Sequence, residues 1–90
     1  MQFEWNEANL NHIAEHGIDP REAVEVFHGK SVVLKTQVRD GENRYLVVGP
    51  TLEGRILAVV WTIRDGYIRV VTAFPASRKM RAAYKEVLNE

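Results

Sequence analysis

The spacing of apolar residues along this chain switches period twice. Between residues 31 and 74 it is strand-like, in four β-rich runs: "SVVLKTQVR", "NRYLVVGPTL", "RILAVVWTIR" and "YIRVVTAF". Asp40-Gly41, Glu53-Gly54 and Asp65-Gly66 separate them. An acidic residue followed by glycine tolerates the positive φ that tight hairpin turns need, so the runs predict a four-stranded antiparallel meander. Residues 56–61, "ILAVVW", are apolar at every position, which predicts a central strand covered on both faces. Phe3 and Trp5 can add a short edge strand near the N-terminus. On either side of the meander the period is helical. Leu10, Ile13 and Ala14 predict a helix over Glu7–His16, with Asn6 as N-cap, Trp5 packing on Leu10, and Gly17 as the stop. Asp19-Pro20-Arg21-Glu22 starts a second helix, with an N-cap, a proline at its first position and a glutamate at its third. Ala23, Val24, Val26 and Phe27 form its buried side, and Gly29 ends it. After Pro75 a last helix is capped by Ser77, and Met80, Ala83, Tyr84, Val87 and Leu88 form its stripe. The predicted fold is α+β: two N-terminal helices, the meander, and a C-terminal helix packed on the sheet.

Composition narrows the picture. Ninety residues make a single domain, 1–90. The chain has no cysteine, which removes disulfides and thiolate metal sites and fits the cytoplasm. "MQFEWNEANL" lacks an apolar signal core, and no apolar run approaches the roughly 18 residues of a membrane span, so neither export nor membrane insertion is expected. Net charge is +0, yet the charges are segregated. Residues 1–30 hold Glu4, Glu7, Glu15, Asp19, Glu22 and Glu25 against Arg21 and Lys30. Residues 67–90 hold Arg69, Arg78, Lys79, Arg81 and Lys85 against Glu86 and Glu90. A generic nucleic-acid coat protein is disfavoured, while one basic face remains free to meet a polyanion.

Candidate chemistry begins with "HIAEH", residues 12–16, which has the His-x-x-Glu-His order of inverted zincins. His12 and His16 lie about 40° apart on a helix and could share a metal. Gly17 and Asp19 end the helix at once, however, and the chain is too short for a two-lobed cleft or a convincing third ligand. No zinc is expected. On the predicted stripe His12 points almost opposite the core, into solvent, while His16 sits at the stripe's edge, capping helix carbonyls or bordering a groove. His28 serves a helix end. Cys/His and Ser/His/Asp nucleophilic sets and glycine-rich phosphate loops are missing. What remains is arginine. Arg44 and Arg55 lie near strand starts, and Arg69 lies within the last strand. "SRKMR", residues 77–81, places cations where the helix dipole disfavours them by a few tenths of a kcal/mol each. This is either a solvated basic face or a receptor in which backbone N–H groups and Arg78, Lys79 and Arg81 hold a phosphate or a partner's carboxylates.

The stretches "FEWNEANLNHIAEHGID", "EAVEVF", "GENRYLVVG", "GRILAVVWT" and "IRVVTAFPASRKMRAAY" together resemble BrnT-type toxins, members of the RelE-like group of small ribonucleases. The resemblance runs from Phe3 to Tyr84. It rests on the His16-Gly17 helix end, the Glu-x-Arg-aromatic start of a strand, and the arginine-led run into a basic helix. It implies a RelE-like fold and metal-independent RNA cleavage without a cofactor, in which a neighbouring 2′-OH attacks the phosphate. It also implies a BrnA-like ribbon-helix-helix antitoxin that silences the toxin and through which the pair contacts operator DNA. Matching the motifs puts Arg44, Arg69, Arg78 and Arg81 forward as phosphate contacts or transition-state stabilisers, and His16 as the proton-transfer residue. RNA contacts are expected at Arg78, Lys79, Arg81 and Phe74, antitoxin contacts at Arg78, Arg81 and Lys85. Alternation along "YIRVVTAF" puts Phe74 on the face of Ile68, Val70 and Thr72, where it extends the core or lies at the mouth of a groove and stacks on a base. Tyr84 matches a family aromatic and falls on the packing stripe. Two departures stand out. Thr72-Ala73-Phe74 replaces the family's Ser-Ala-Arg, and Met80 replaces a glutamate that would complete a capping box with Ser77. Three readings follow: an active toxin, a toxin fold that only binds its antitoxin, and a small domain with an unrelated partner.

Overall fold

A computed structural model describes residues 2–89. Its elements are β1 (Phe3–Glu4), α1 (Glu7–Glu15), α2 (Pro20–His28), β2 (Val32–Arg39), β3 (Glu42–Pro50), β4 (Ile56–Arg64), β5 (Tyr67–Pro75) and α3 (Arg78–Leu88). The chain is α+β, and its meander is present as expected. Asp40-Gly41 and Asp65-Gly66 make the β2–β3 and β4–β5 turns with φ of 54° and 75°, and 52° and 81°. Two consecutive left-handed residues match the twist of the flanking strands. The short N-terminal strand completes a five-stranded sheet in the order β1-β5-β4-β3-β2. β1 runs parallel to β5, pairing Phe3 with Ile68 and Glu4 with Arg69, so the sheet is mixed.

The helices start where the capping residues direct. The Asn9 N–H donates to Asn6 Oδ1 at 2.9 Å. The Arg21 N–H donates to Asp19 Oδ1 at 2.8 Å, the Asp19 N–H donates to Glu22 Oε1 at 3.1 Å in a capping box, and the Met80 N–H donates to Ser77 Oγ at 3.2 Å. Each sheet face carries its own core. On one face α1 and α2 bring Ile13, Ala23 and Val26 onto Val47, Leu57, Val59, Val70 and Ala73. On the other, α3 lays Tyr84 and Met80 over Val48, Ala58 and Phe74. Successive residues of β3 and β4 thus face opposite cores, which is why "ILAVVW" needs no polar position.

Three expectations are corrected. Leu10 and Ala14 are exposed, and α1 buries Asn9 and Ile13 instead. Ile18, just past the helix, supplies the apolar area that Leu10 was expected to give. Val87 and Leu88 stay 39% and 45% exposed, so the α3 stripe is buried only as far as Tyr84, whose hydroxyl donates to the Lys30 carbonyl at 2.5 Å. The third correction concerns β5. Val60 pairs with Thr72 and Trp61 with Val70, so Val71 is an extra residue without a partner. Strict alternation would put Phe74 on the face of Ile68 and Val70. The bulge reverses the faces beyond it: Ala73 joins Val70 in the α1–α2 core, and Phe74 packs on the α3 side.

Candidate functional site

Val71, the bulged residue of β5, lines the concave surface. α1 packs along β5, so the start of this helix overhangs the edge of the α3-side face. Three shallow depressions meet there, and Val71 lines all of them. Together they form one trough. The first part, about 330 Å³, lies between Lys35, Arg39 and Arg44 on β2–β3 and Thr72 and Phe74 on β5. The second, about 240 Å³, brings Asn9 and His12 of α1 against Glu42, Arg44, Arg64 and Arg69 of the sheet. The third, about 300 Å³, runs past His12, Glu15 and His16.

Period-two alternation places Glu42 and Arg44 on one face of β3. The Arg44 Nε donates to Glu42 Oε1 at 3.3 Å, and Arg64 Nη2 donates to Glu42 Oε2 at 3.4 Å. At this exposure such pairs contribute little to stability. Their effect is orientation: one carboxylate holds two guanidinium groups beside Arg69, leaving net positive charge in the second depression. Above them His12 Nδ1 lies 3.2 Å from the Val71 carbonyl oxygen. The same depression is bordered by Asn9, 6% exposed, whose Oδ1 is buried without a hydrogen-bond partner.

Of the residues expected to act, Arg44 and Arg69 are brought together in the second depression. Phe74 lines the first, and its ring lies 5.9 Å from that of His16, which lines the third. Arg78, Lys79, Arg81 and Lys85 are exposed along α3 and line none of the three depressions; Arg81 Nη1 turns back to the Ala76 carbonyl at 2.8 Å. Sequence reasoning missed His12, Glu42, Arg64 and Asn9. Glu42 and Arg64 were within reach, because each shares strand parity with Arg44 or its neighbours across the ladder. His12 was hidden by the misplaced α1 stripe. Among the described residues, no three histidine, aspartate or glutamate side chains converge as a metal site would require.

A family model described as "Ribonuclease toxin, BrnT, of type II toxin-antitoxin system" matches residues 5–79. The chain belongs to the BrnT family. It is therefore a ribonuclease toxin of a type II toxin–antitoxin system, with an antitoxin as partner and RNA as target. The BrnT match takes in every trough residue named above, from Asn9 to Phe74, and ends at Lys79 within the first turn of α3. Arg81 and Lys85 lie beyond it. A search of curated proteins gives no match. No described helix of this BrnT chain is long and apolar enough to cross a membrane.

Proposed function

We propose that the trough around Val71 is where this toxin binds and cuts RNA, and that the 1–90 chain acts as one toxin domain in the cytoplasm. The observation that carries the reading is the convergence of Arg44, Arg64 and Arg69 around the single carboxylate of Glu42, under the α1 wall. A scissile phosphate in the second depression meets Arg44 and Arg69. Their guanidinium groups neutralise the charge that builds on the phosphoryl oxygens as the neighbouring 2′-oxygen attacks. No metal is needed for that step, and proton transfer falls to the imidazoles of the α1 wall, where His16 lies. Phe74 offers a face on which a flanking base stacks. Arg78, Lys79 and Arg81 extend the positive surface along which the strand runs. Arg78, Arg81 and Lys85 also receive acidic side chains of a BrnA-like ribbon-helix-helix antitoxin, through which the pair represses its own operon.

The test is cleavage of a fluorogenic RNA by purified toxin with EDTA present. Arg69→Gln and Arg44→Gln are each expected to slow cleavage by about 10²–10³-fold while antitoxin affinity stays within a few-fold. Unchanged cleavage in both variants would overturn the site. A second reading, a module that binds antitoxin without chemistry, is favoured by one observation: an aromatic ring at Phe74 stands where the resemblance calls for arginine. It predicts a wild type that causes no growth arrest when expressed without its antitoxin.

A further inference from the structure

His12 is tied to the residue of β5 that the bulge leaves without a partner on β4. β1 pairs with β5 at Ile68 and Arg69 and no further, so beyond Arg69 the outer edge of β5 is left to α1. Val71, without a partner on β4, presents its carbonyl there, 3.2 Å from His12 Nδ1. A carbonyl oxygen only accepts, so this contact requires the proton to sit on Nδ1. The neutral ring then carries its bare lone pair on Nε2. His12 and Val71 line both the guanidinium depression and the His16 depression, so the ring stands on the ridge between them. The other candidates for a base are less suited. Both oxygens of Glu42 are engaged by guanidinium donors. Among the described residues no hydrogen bond fixes a ring nitrogen of His16, whose nearest aromatic neighbour is Phe74.

We propose that His12 is the proton acceptor of RNA cleavage, its tautomer set by the Val71 carbonyl at the β5 bulge. This rests on reading the trough as the RNA site. Nε2 takes the proton of the ribose 2′-OH. The 2′-oxygen forms a bond to the adjacent phosphorus, and the bond from phosphorus to the 5′-oxygen breaks. The leaving 5′-oxygen takes a proton from water. The products are a 2′,3′-cyclic phosphate and a 5′-hydroxyl, and the imidazolium of His12 returns its proton to solvent. Arg44 and Arg69 hold the phosphoryl oxygens throughout.

His12→Asn separates the two functions of the ring, because the amide Nδ2 occupies the place of Nδ1 and can still donate to Val71 while no base remains. With purified toxin and a fluorogenic RNA, His12→Asn is expected to cleave about 10²–10⁴-fold more slowly at an unchanged thermal midpoint and antitoxin affinity. His12→Ala is expected to regain part of its rate when free imidazole is added. Wild-type cleavage by His12→Asn, with Arg69→Gln crippled in the same assay, overturns the assignment and leaves the trough standing. If neither variant is impaired, or if the wild type cuts no RNA, the trough reading falls and the assignment with it. A loss in His12→Asn that follows a fall in thermal midpoint, with no imidazole rescue of His12→Ala, also overturns it, because the ring would then be a structural tie.

Discussion

Phe74 sits where three influences meet. Its ring packs under Met80 and the α3 core, touches His16, and faces a depression bordered by Lys35, Arg39 and Arg44. An aromatic here can hold a base but cannot offset charge on a phosphate. Phe74→Arg is expected to raise RNA cleavage about tenfold or more, since one well-placed cationic donor is worth about 10²–10³ in rate. It should also lower stability by about 1–3 kcal/mol through lost packing. A cleavage assay beside thermal unfolding checks both; no gain in rate would assign the rate-limiting charge to Arg44 and Arg69. Single residues were the scale at which the sequence was least legible. Arg44, Arg69 and Phe74 could be singled out from their motifs, although strand parity put Phe74 on the wrong face. His12 could not, because a helical wheel centred on Leu10 and Ala14 turns it toward solvent, whereas α1 buries Asn9 and hangs His12 over the edge of β5.

At the level of elements the reading was nearly complete. Asn6, Asp19-Pro20 and Ser77 mark helix starts, and both Asp-Gly turns have the backbone their residue types favour, whereas Glu53-Gly54 sits in a longer loop between Pro50 and Ile56. What no composition announces is a one-residue mismatch between paired strands. Val71 is an ordinary strand residue, and only the ladder reveals it as surplus. Close approach between elements is equally silent. Gly49 lies buried in β3, and a Cβ there would fall 2.7 Å from Ser31 Cβ and 3.3 Å from Val26 Cγ1. Gly49→Ala must push the α2–β2 junction off the sheet. It is expected to cost about 1–3 kcal/mol, lowering the thermal midpoint by roughly 4–8 °C for each kcal/mol. Differential scanning calorimetry reads this directly, and an unchanged midpoint would mean that the junction yields freely.

Over the whole molecule the charges sort into an acidic N-terminal third and a basic last helix, with no excess of either sign. Arg78, Lys79 and Lys85 are exposed along α3 with no ion pair among the described residues. Unpaired surface cations of this kind steer an acidic partner and make its affinity salt-dependent. Combined Arg78→Glu and Arg81→Glu is expected to weaken antitoxin binding at least tenfold and to flatten its salt dependence. Calorimetry at low and high salt distinguishes this from a site elsewhere, where affinity and slope would both persist.

The pairing of β1 with β5 joins the first strand of the chain to the last. α1, lying against β5, inherits that reach, so His12 finds Val71 across 59 positions of sequence. A nascent chain on the ribosome that has not yet delivered Tyr67–Pro75 has the α1 helix but no edge for it to overhang, and no Arg69 or Phe74. The β2–β3 and β3–β4 hairpins can form in order as they emerge, because their contacts are local. The trough cannot: it closes only once β5 has emerged. On the proposed reading of the trough, fragments lacking β5 carry no cleavage site.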